Sequence, residues 1–151
     1  MKNVIALLMV LFAGATMANT IGNDVKLFYD QNGNLYSGRY ITYHNNGNIN
    51  SDFNVVNGRI VGQAKFFYES GELMESGNYA AGQKDGVWTK YSKTGVKIGV
   101  ASFHNGDKDG DWFIYDNAGN KLFEMHYKNG EKTGTWKQWD EEGNLISSKK
   151  Y

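Results

Sequence analysis

Residues 86–109 read GVWTKYSKTGVKIGVASFHNGDKD, and residues 110–133 read GDWFIYDNAGNKLFEMHYKNGEKT. Both segments carry glycine at the first position, tryptophan at the third, tyrosine at the sixth and glycine at the tenth. Both also carry asparagine and glycine at the twentieth and twenty-first positions. Similarity at a fixed period is the sequence mark of a repeat architecture. A 24-residue unit therefore organises this part of the chain.

The same period extends from residue 38 to the last residue of the chain. Fourteen of the 19 glycines fall on three positions of the unit. The aromatic residues keep the period as well, with Ala64 as the exception at the third position. The first position holds Gly38, Gly62, Gly86, Gly110 and Gly134, the third holds Tyr40, Ala64, Trp88, Trp112 and Trp136, and the sixth holds Tyr43, Phe67, Tyr91, Tyr115 and Trp139.

Each unit contains two strand-like runs separated by two turn signals. In one unit the runs are 112–115 and 122–127, which are rich in aromatic and apolar residues. Asn129-Gly130 is a strong hairpin dipeptide, and 116–119 ends in a glycine that adopts positive φ freely. We therefore predict an all-β fold: one elongated antiparallel meander of about ten strands in sequence order. No segment after the N-terminus has sustained helical spacing of apolar residues.

The composition of the chain argues against several classes of function. There are 16 basic and 16 acidic residues, so the formal net charge is zero, which does not suit a phosphate-backbone binder. The chain has no cysteine, which excludes disulfides and thiolate metal sites. It also has no proline, which suits a continuous ladder of strands.

Residues 1–18 have the pattern of a secretory signal peptide. Lys2 supplies the positive charge, residues 4–13 form an apolar run, and Thr16 and Ala18 precede a predicted cut before Asn19. We therefore expect an exported protein in the periplasm, at the cell surface or in the medium. Residues 19–37 are predicted to be an N-terminal segment with a capping half-repeat. Five repeats then follow, at 38–61, 62–85, 86–109, 110–133 and 134–151.

The repeated G-x-W-x-x-Y and N-G-x-x-x-G units resemble the MORN (membrane occupation and recognition nexus) repeat family. They are most similar to the bacterial MORN-variant repeats of the YwqK-type antitoxin family. The resemblance covers residues 25–151. It implies a β-meander that serves as a binding or assembly module without catalytic residues, and it raises the possibility of a toxin-neutralising role.

Residues 105–116 (NGDKDGDWFIYD) alternate oxygen-bearing side chains in the manner of a calcium-binding EF-hand loop. Asp107, Asp109 and Asp111 would be ligands, with Asp116 at the last loop position. The equivalent segments of neighbouring units lack these acids, and no helices are expected to flank the loop. A solvated acidic turn is the preferred interpretation, and no metal or cofactor is predicted.

No catalytic constellation is evident either. The histidines, His44, His104 and His126, occupy different positions of the unit, two of them in predicted turns. Carboxylates such as Glu69, Glu72 and Glu75 are expected mostly in or beside turns. We therefore predict that the protein is not an enzyme.

The aromatic rows are the remaining candidates for an interaction site. Packing between neighbouring hairpins is the preferred role, with specificity then carried by less regular positions such as Lys108, Lys132, Glu124 and His126. If the rows are exposed, they could hold a protein, a glycan or a peptide. The possible interaction residues are Trp88, Tyr91, Trp112, Tyr115, Trp136 and Trp139.

The predicted function is thus an exported, non-enzymatic module for protein–protein interaction, with a partner of unknown identity and no nucleic acid. Two alternatives remain open. One is a YwqK-like antitoxin or immunity protein that neutralises a toxin, and the other is a surface adhesin that binds host glycan or lipid through exposed aromatic residues. On the last predicted strand, Lys149 and Lys150 have two open interpretations: charges that discourage edge pairing, or a simply solvated C-terminal segment.

Overall fold

The computed structural model describes residues 25–151, and the predicted signal peptide lies outside them. The described residues contain ten strands and no helix, which confirms the all-β prediction. The strands are β1 Gly38–Tyr43, β2 Ile49–Val56, β3 Arg59–Phe67, β4 Leu73–Ala80, β5 Gln83–Tyr91, β6 Lys97–His104, β7 Asp107–Tyr115, β8 Lys121–Lys128, β9 Glu131–Trp139 and β10 Leu145–Lys150.

All ten strands form one sheet in which spatial order equals sequence order. Every neighbouring pair is antiparallel, so the predicted meander is confirmed. At about 4.8 Å per strand the sheet extends roughly 45 Å across its strands. Each hairpin touches its neighbours, so packing between hairpins supplies the tertiary contacts.

Two kinds of turn alternate along the chain. Asn105 and Gly106 have φ of 49° and 87°, which is the two-residue type I′ turn favoured by Asn-Gly. The other turn is longer and is held by a side chain: Asp116 Oδ1 accepts hydrogen bonds from the backbone N–H groups of Ala118 and Asn120, each at 2.8 Å. Both kinds were indicated by their sequence.

The first glycine of each unit lies inside a strand. Strand β7 begins at Asp107, directly after the two-residue turn, and passes through Gly110 with a φ of 101°. The pairing register slips between Ala101 and Phe103 at this level, so Gly110 belongs to a bulge. This corrects the acidic turn expected within residues 105–116: a type I′ turn closes in two residues, so Gly110 lies in the strand and bends it.

The core lies on one face of the sheet. Directly opposed residues share a face, and the pairs Trp88–Ala101 and Trp112–Met125 place these side chains together. We call this side the core face. Its strongly buried strand residues are Ser51, Phe53, Val55, Ala64, Glu75, Trp88, Gly99, Ala101, Trp112, Ile114 and Met125.

Residues 28–36 form a short hairpin that covers the N-terminal end of this core. Tyr29 bridges to Leu35, and the Phe28 backbone N–H donates to the Gly58 carbonyl at 2.9 Å. The Phe28 ring is buried, 5.0 Å from the Tyr40 ring and 5.5 Å from the Phe53 ring between centroids. The aromatic core therefore continues into this hairpin.

Candidate interaction surface

The tryptophans at the third position of each unit belong to the core. Trp88 is 0% exposed and Trp112 is 5% exposed, whereas Trp136, near the C-terminal edge, is half-buried. Each indole Nε1–H donates to the carbonyl ten residues earlier in sequence. The acceptors are Asn78 for Trp88 (3.1 Å), Ser102 for Trp112 (2.9 Å) and His126 for Trp136 (3.0 Å). Burial and a satisfied N–H fix these rings as the links between hairpins.

A lysine lies over each of these rings. The Nζ atoms of Lys84, Lys108 and Lys132 lie 3.7, 4.4 and 4.5 Å from the indole centroids of Trp88, Trp112 and Trp136, respectively. Burial lowers the pKa of Lys84 and of Lys108. Lys108 and Lys132 were predicted as less regular positions that carry specificity, and the structure places both on the core face. Each of these lysines precedes a tryptophan by four residues, and this regular spacing was the sequence feature that could have indicated a place in the core.

Glu75 forms a buried ion pair with Lys84. The two charged groups are 2.8 Å apart, and the Glu75 carboxylate is almost fully enclosed. Glu75 therefore departs from the expectation that carboxylates lie beside turns: it faces the core from within β4. Nearby, burial and then the Glu75 charge raise the pKa of Tyr79 to about 12.

The aromatic residues at the sixth position lie on the opposite side of the sheet, which we call the open face. Tyr115 lies three residues after Trp112 and therefore on the other side of the strand. Phe113 lies on the same side as Tyr115, and the two ring centroids are 6.4 Å apart. Cross-strand lysines connect this row. Lys97 pairs with Tyr91 and extends to 5.2 Å from the Tyr115 ring. Lys121 pairs with Tyr115 and extends to 5.6 Å from the Trp139 ring.

We call this arrangement the stripe: Tyr91, Lys97, Tyr115, Lys121 and Trp139. Its three rings are half-buried. Of the six aromatic residues predicted as interaction candidates, the structure therefore places Trp88, Trp112 and Trp136 in or against the core and Tyr91, Tyr115 and Trp139 on the open face.

Glu124 pairs with the positive charge of Lys121, one of the stripe residues. Its carboxylate accepts a hydrogen bond from Lys121 at 2.8 Å and lies 3.6 Å from Lys137 Nζ and 3.7 Å from His126 Nε2. The hydrogen bond with Lys121, with the surrounding positive charges, lowers the pKa of Glu124. His126 in turn contacts Asp111 at 2.7 Å. These charges hold one another in place on the open face.

At the N-terminal end of the sheet, the open face also carries charged and polar groups. Arg39 donates two hydrogen bonds to Asp52, at 2.9 and 2.7 Å, and this contact lowers the pKa of Asp52. Asn54, Gln63 and Lys65 line the same shallow depression. Tyr43 and Phe67, at the sixth position of the first two units, also lie on this face, and the rings of the stripe follow on β5, β7 and β9.

The candidate metal and histidine positions serve other contacts. Asp109 binds Lys128 Nζ and the Asn129 N–H, at 3.0 and 3.1 Å, from within strand β7, so residues 105–116 do not form an EF-hand loop. His44 hydrogen-bonds the Phe67 carbonyl, and His104 contacts Asp85. Among residues 25–151 no cluster of three potential metal ligands occurs. The same residues include no helix with the length and apolar character needed to cross a membrane.

Comparison with known proteins identifies the repeat. The family model described as "MORN repeat variant" matches residues 60–81, 108–129 and 132–151. The chain is a MORN-repeat-like protein. Each matched segment of this MORN-like chain covers one hairpin, namely β3–β4, β7–β8 and β9–β10. The recognised unit is therefore the pair of strands joined by the longer turn.

Other comparisons add little. No curated protein matches the chain. One solved structure, titled "Crystal structure of GtfA/B complex bound to UDP and GlcNAc", matches with 13% identity and a TM-score of 0.30. That match covers 87% of this chain but only 28% of the other. A likeness at this level supports no statement about activity.

Proposed function

We propose that this chain is an exported, non-enzymatic module that binds another protein, at the cell envelope or outside the cell, through the stripe on its open face. One observation carries the proposal: the sheet buries its regular tryptophans on one side and presents a second row of rings, interleaved with lysines, on the other. The rings needed for folding are thus separate from the rings available to a partner.

The dimensions of the stripe suit a protein partner. Its rings recur at every second strand, so Tyr91 and Trp139 are about 20 Å apart across the sheet. This length is comparable to a protein interface and exceeds a small ligand. Tyrosine and tryptophan are the residues most enriched at binding hot spots because they combine large apolar area with a polar tip.

The absence of catalysis is supported by how the charged groups are used. Asp109, Asp111 and Glu124 are each engaged by a lysine, a histidine or a backbone N–H. Such pairs stabilise local structure and hold these three carboxylates against neighbouring groups. Export is supported by the signal-like pattern of residues 1–18.

Affinity capture with matched variants tests the binding proposal. Wild-type protein, Trp139→Ala and Tyr43→Ala serve as baits for envelope and culture-medium extracts, and each recovered protein is then purified and titrated. Tyr43 is the matched control because it holds the same repeat position but pairs with Ile49 instead of a lysine. We expect a protein whose affinity falls at least tenfold for Trp139→Ala and stays unchanged for Tyr43→Ala.

Other results would redirect the assignment. A defined sugar or lipid that binds with the same dependence on Trp139, in place of a protein, would contradict the protein-partner proposal and favour the adhesin alternative. A tight one-to-one complex with a toxin would identify the partner class and favour the antitoxin alternative. N-terminal sequencing of the exported protein checks the export proposal: we expect Asn19 as the first residue, and full-length protein confined to the cytoplasm would contradict it.

A further inference from the structure

Strand β10 offers a second contact surface. It lies at the edge of the sheet formed by the described residues, and all six of its residues are exposed. The opposite edge differs, because the Tyr36 hydroxyl donates to the Arg39 carbonyl of β1 at 2.9 Å. An edge strand has unpaired backbone groups that can extend a sheet into another chain.

The pairing register shows which backbone groups point outward. The Tyr151 N–H donates to the Gly134 carbonyl, so residues 149 and 147 also point their N–H and C=O groups towards β9. Ser148 and Lys150 alternate with them and therefore direct theirs to the free edge. These groups are available for an intermolecular ladder.

Negative and positive charges lie at opposite ends of β10. The turn before the strand carries Asp140, Glu141 and Glu142, while the strand ends in Lys149 and Lys150. In a parallel pair of such strands, acids would oppose acids and lysines would oppose lysines. In an antiparallel pair, the lysines of each copy lie at the acidic end of the other.

We propose that β10 pairs antiparallel with β10 of a second copy of this chain, about a two-fold axis near Ser147 and Ser148. The two sheets then form one continuous sheet whose core faces lie on the same side. Leu145 and Ile146, which are 54% and 56% exposed, come to lie along the aliphatic stems of the partner's lysines. Lys149 and Lys150 therefore disfavour a parallel alignment of the two β10 strands and favour the antiparallel alignment.

This contact does not depend on the stripe. The stripe lies on a face of the sheet and the dimer contact uses an edge, so the two proposals fail independently.

Reciprocal charge reversal tests the dimer. Analytical ultracentrifugation over a concentration series is applied to wild type, to Lys149→Glu/Lys150→Glu and to Glu141→Lys/Glu142→Lys. We expect wild type to dimerise and each variant alone to remain monomeric, because both ends of the two-fold contact become repulsive. An equimolar mixture of the two variants should form heterodimers, since both ends are then attractive again.

A matched control separates this effect from net charge. Lys65→Glu/Lys93→Glu makes the same change in net charge as Lys149→Glu/Lys150→Glu, but away from β10, and should dimerise as wild type does. A wild type that stays monomeric across the series, a dimer that persists in either β10-end variant, or a mixture that stays monomeric would overturn the proposal.

Discussion

Gly77 lies directly against the indole of Trp88: a Cβ placed on Gly77 would be 2.3 Å from Trp88 Cδ2. The same indole neighbours Ala101 across the next pair of strands. Small residues on both neighbouring strands, Gly77 on β4 and Ala101 on β6, therefore accommodate this fully buried ring. Ala64, which pairs with Gly77, is also fully buried and is the residue that departs from the aromatic consensus at the third repeat position.

This contact predicts that Gly77→Ala destabilises the protein, by about 1–3 kcal/mol, because a well-packed core yields little to an added methyl group. Urea unfolding followed by circular dichroism measures the loss. Ser76→Ala is the control, since Ser76 lies on the opposite face and its loss should remain below about 0.5 kcal/mol. Equal unfolding free energies for Gly77→Ala and wild type would contradict the packing described here.

The turn at Ala81 predicts a stabilising substitution. Ala81 has a φ of 49° where the equivalent turns have Asn57, Asn105 and Asn129. Alanine is strained in this left-handed conformation and asparagine tolerates it. We expect Ala81→Asn to raise the free energy of unfolding by roughly 0.5–1 kcal/mol and Asn105→Ala to lower it by a similar amount. Changes of the same sign in both variants would contradict the turn assignment.

Tyr79 predicts a loss of stability at alkaline pH. Its pKa is raised from an ordinary value of 10 to about 12 in the folded chain. A raised folded-state pKa means that the unfolded chain loses this proton first, so stability falls as the pH rises from about 10 to 12. The loss from this residue is on the order of 2 kcal/mol.

Tyr79→Phe isolates that effect. The difference in unfolding free energy between wild type and Tyr79→Phe should be constant below pH 9 and should shift against wild type between about pH 10 and 12. Because Lys84, whose lowered pKa acts in the opposite direction, is present in both proteins, its contribution cancels. A difference independent of pH would show that the Tyr79 hydroxyl ionises as freely in the folded as in the unfolded chain.

The Glu75–Lys84 pair predicts a large penalty for removing one partner. Lys84→Met keeps an apolar side chain over Trp88 but removes the ion pair of the buried Glu75 carboxylate, which keeps Lys90 as a charged neighbour across the strand pair; we expect a loss of about 3 kcal/mol. The double variant Glu75→Gln/Lys84→Met removes both charges and should recover most of that loss. A double-mutant cycle in urea unfolding checks the coupling. A purely additive cycle would mean that the two residues do not interact.

The meander was predictable from the sequence because each strand pairs with its neighbour in the chain. A 24-residue period with turn residues at fixed places then determines both strand number and order. The sequence could also have predicted that the two aromatic rows lie on opposite faces of the sheet. Trp112 and Tyr115 are three residues apart, and successive side chains of a strand point to opposite sides.

Other features depended on tertiary contacts that no local pattern reports. Gly110 was grouped with the acidic turn that follows Asn105, yet the tight Asn105-Gly106 turn places it inside β7. The pairing of Glu75 with Lys84 was hidden because Glu75 has no counterpart in the other repeats. The polarity of β10 was visible in its charges, but its free backbone groups depend on the register with β9.

The central claim is that one row of rings holds the fold and the other is available to a partner. The most direct test compares the unfolding free energies of Trp112→Ala and Tyr115→Ala, two substitutions three residues apart on β7. We predict a loss of about 3–5 kcal/mol for Trp112→Ala, and a loss for Tyr115→Ala smaller by at least 2 kcal/mol. Equal losses for the two variants, or a larger loss for Tyr115→Ala, would contradict the assignment of the core to one face.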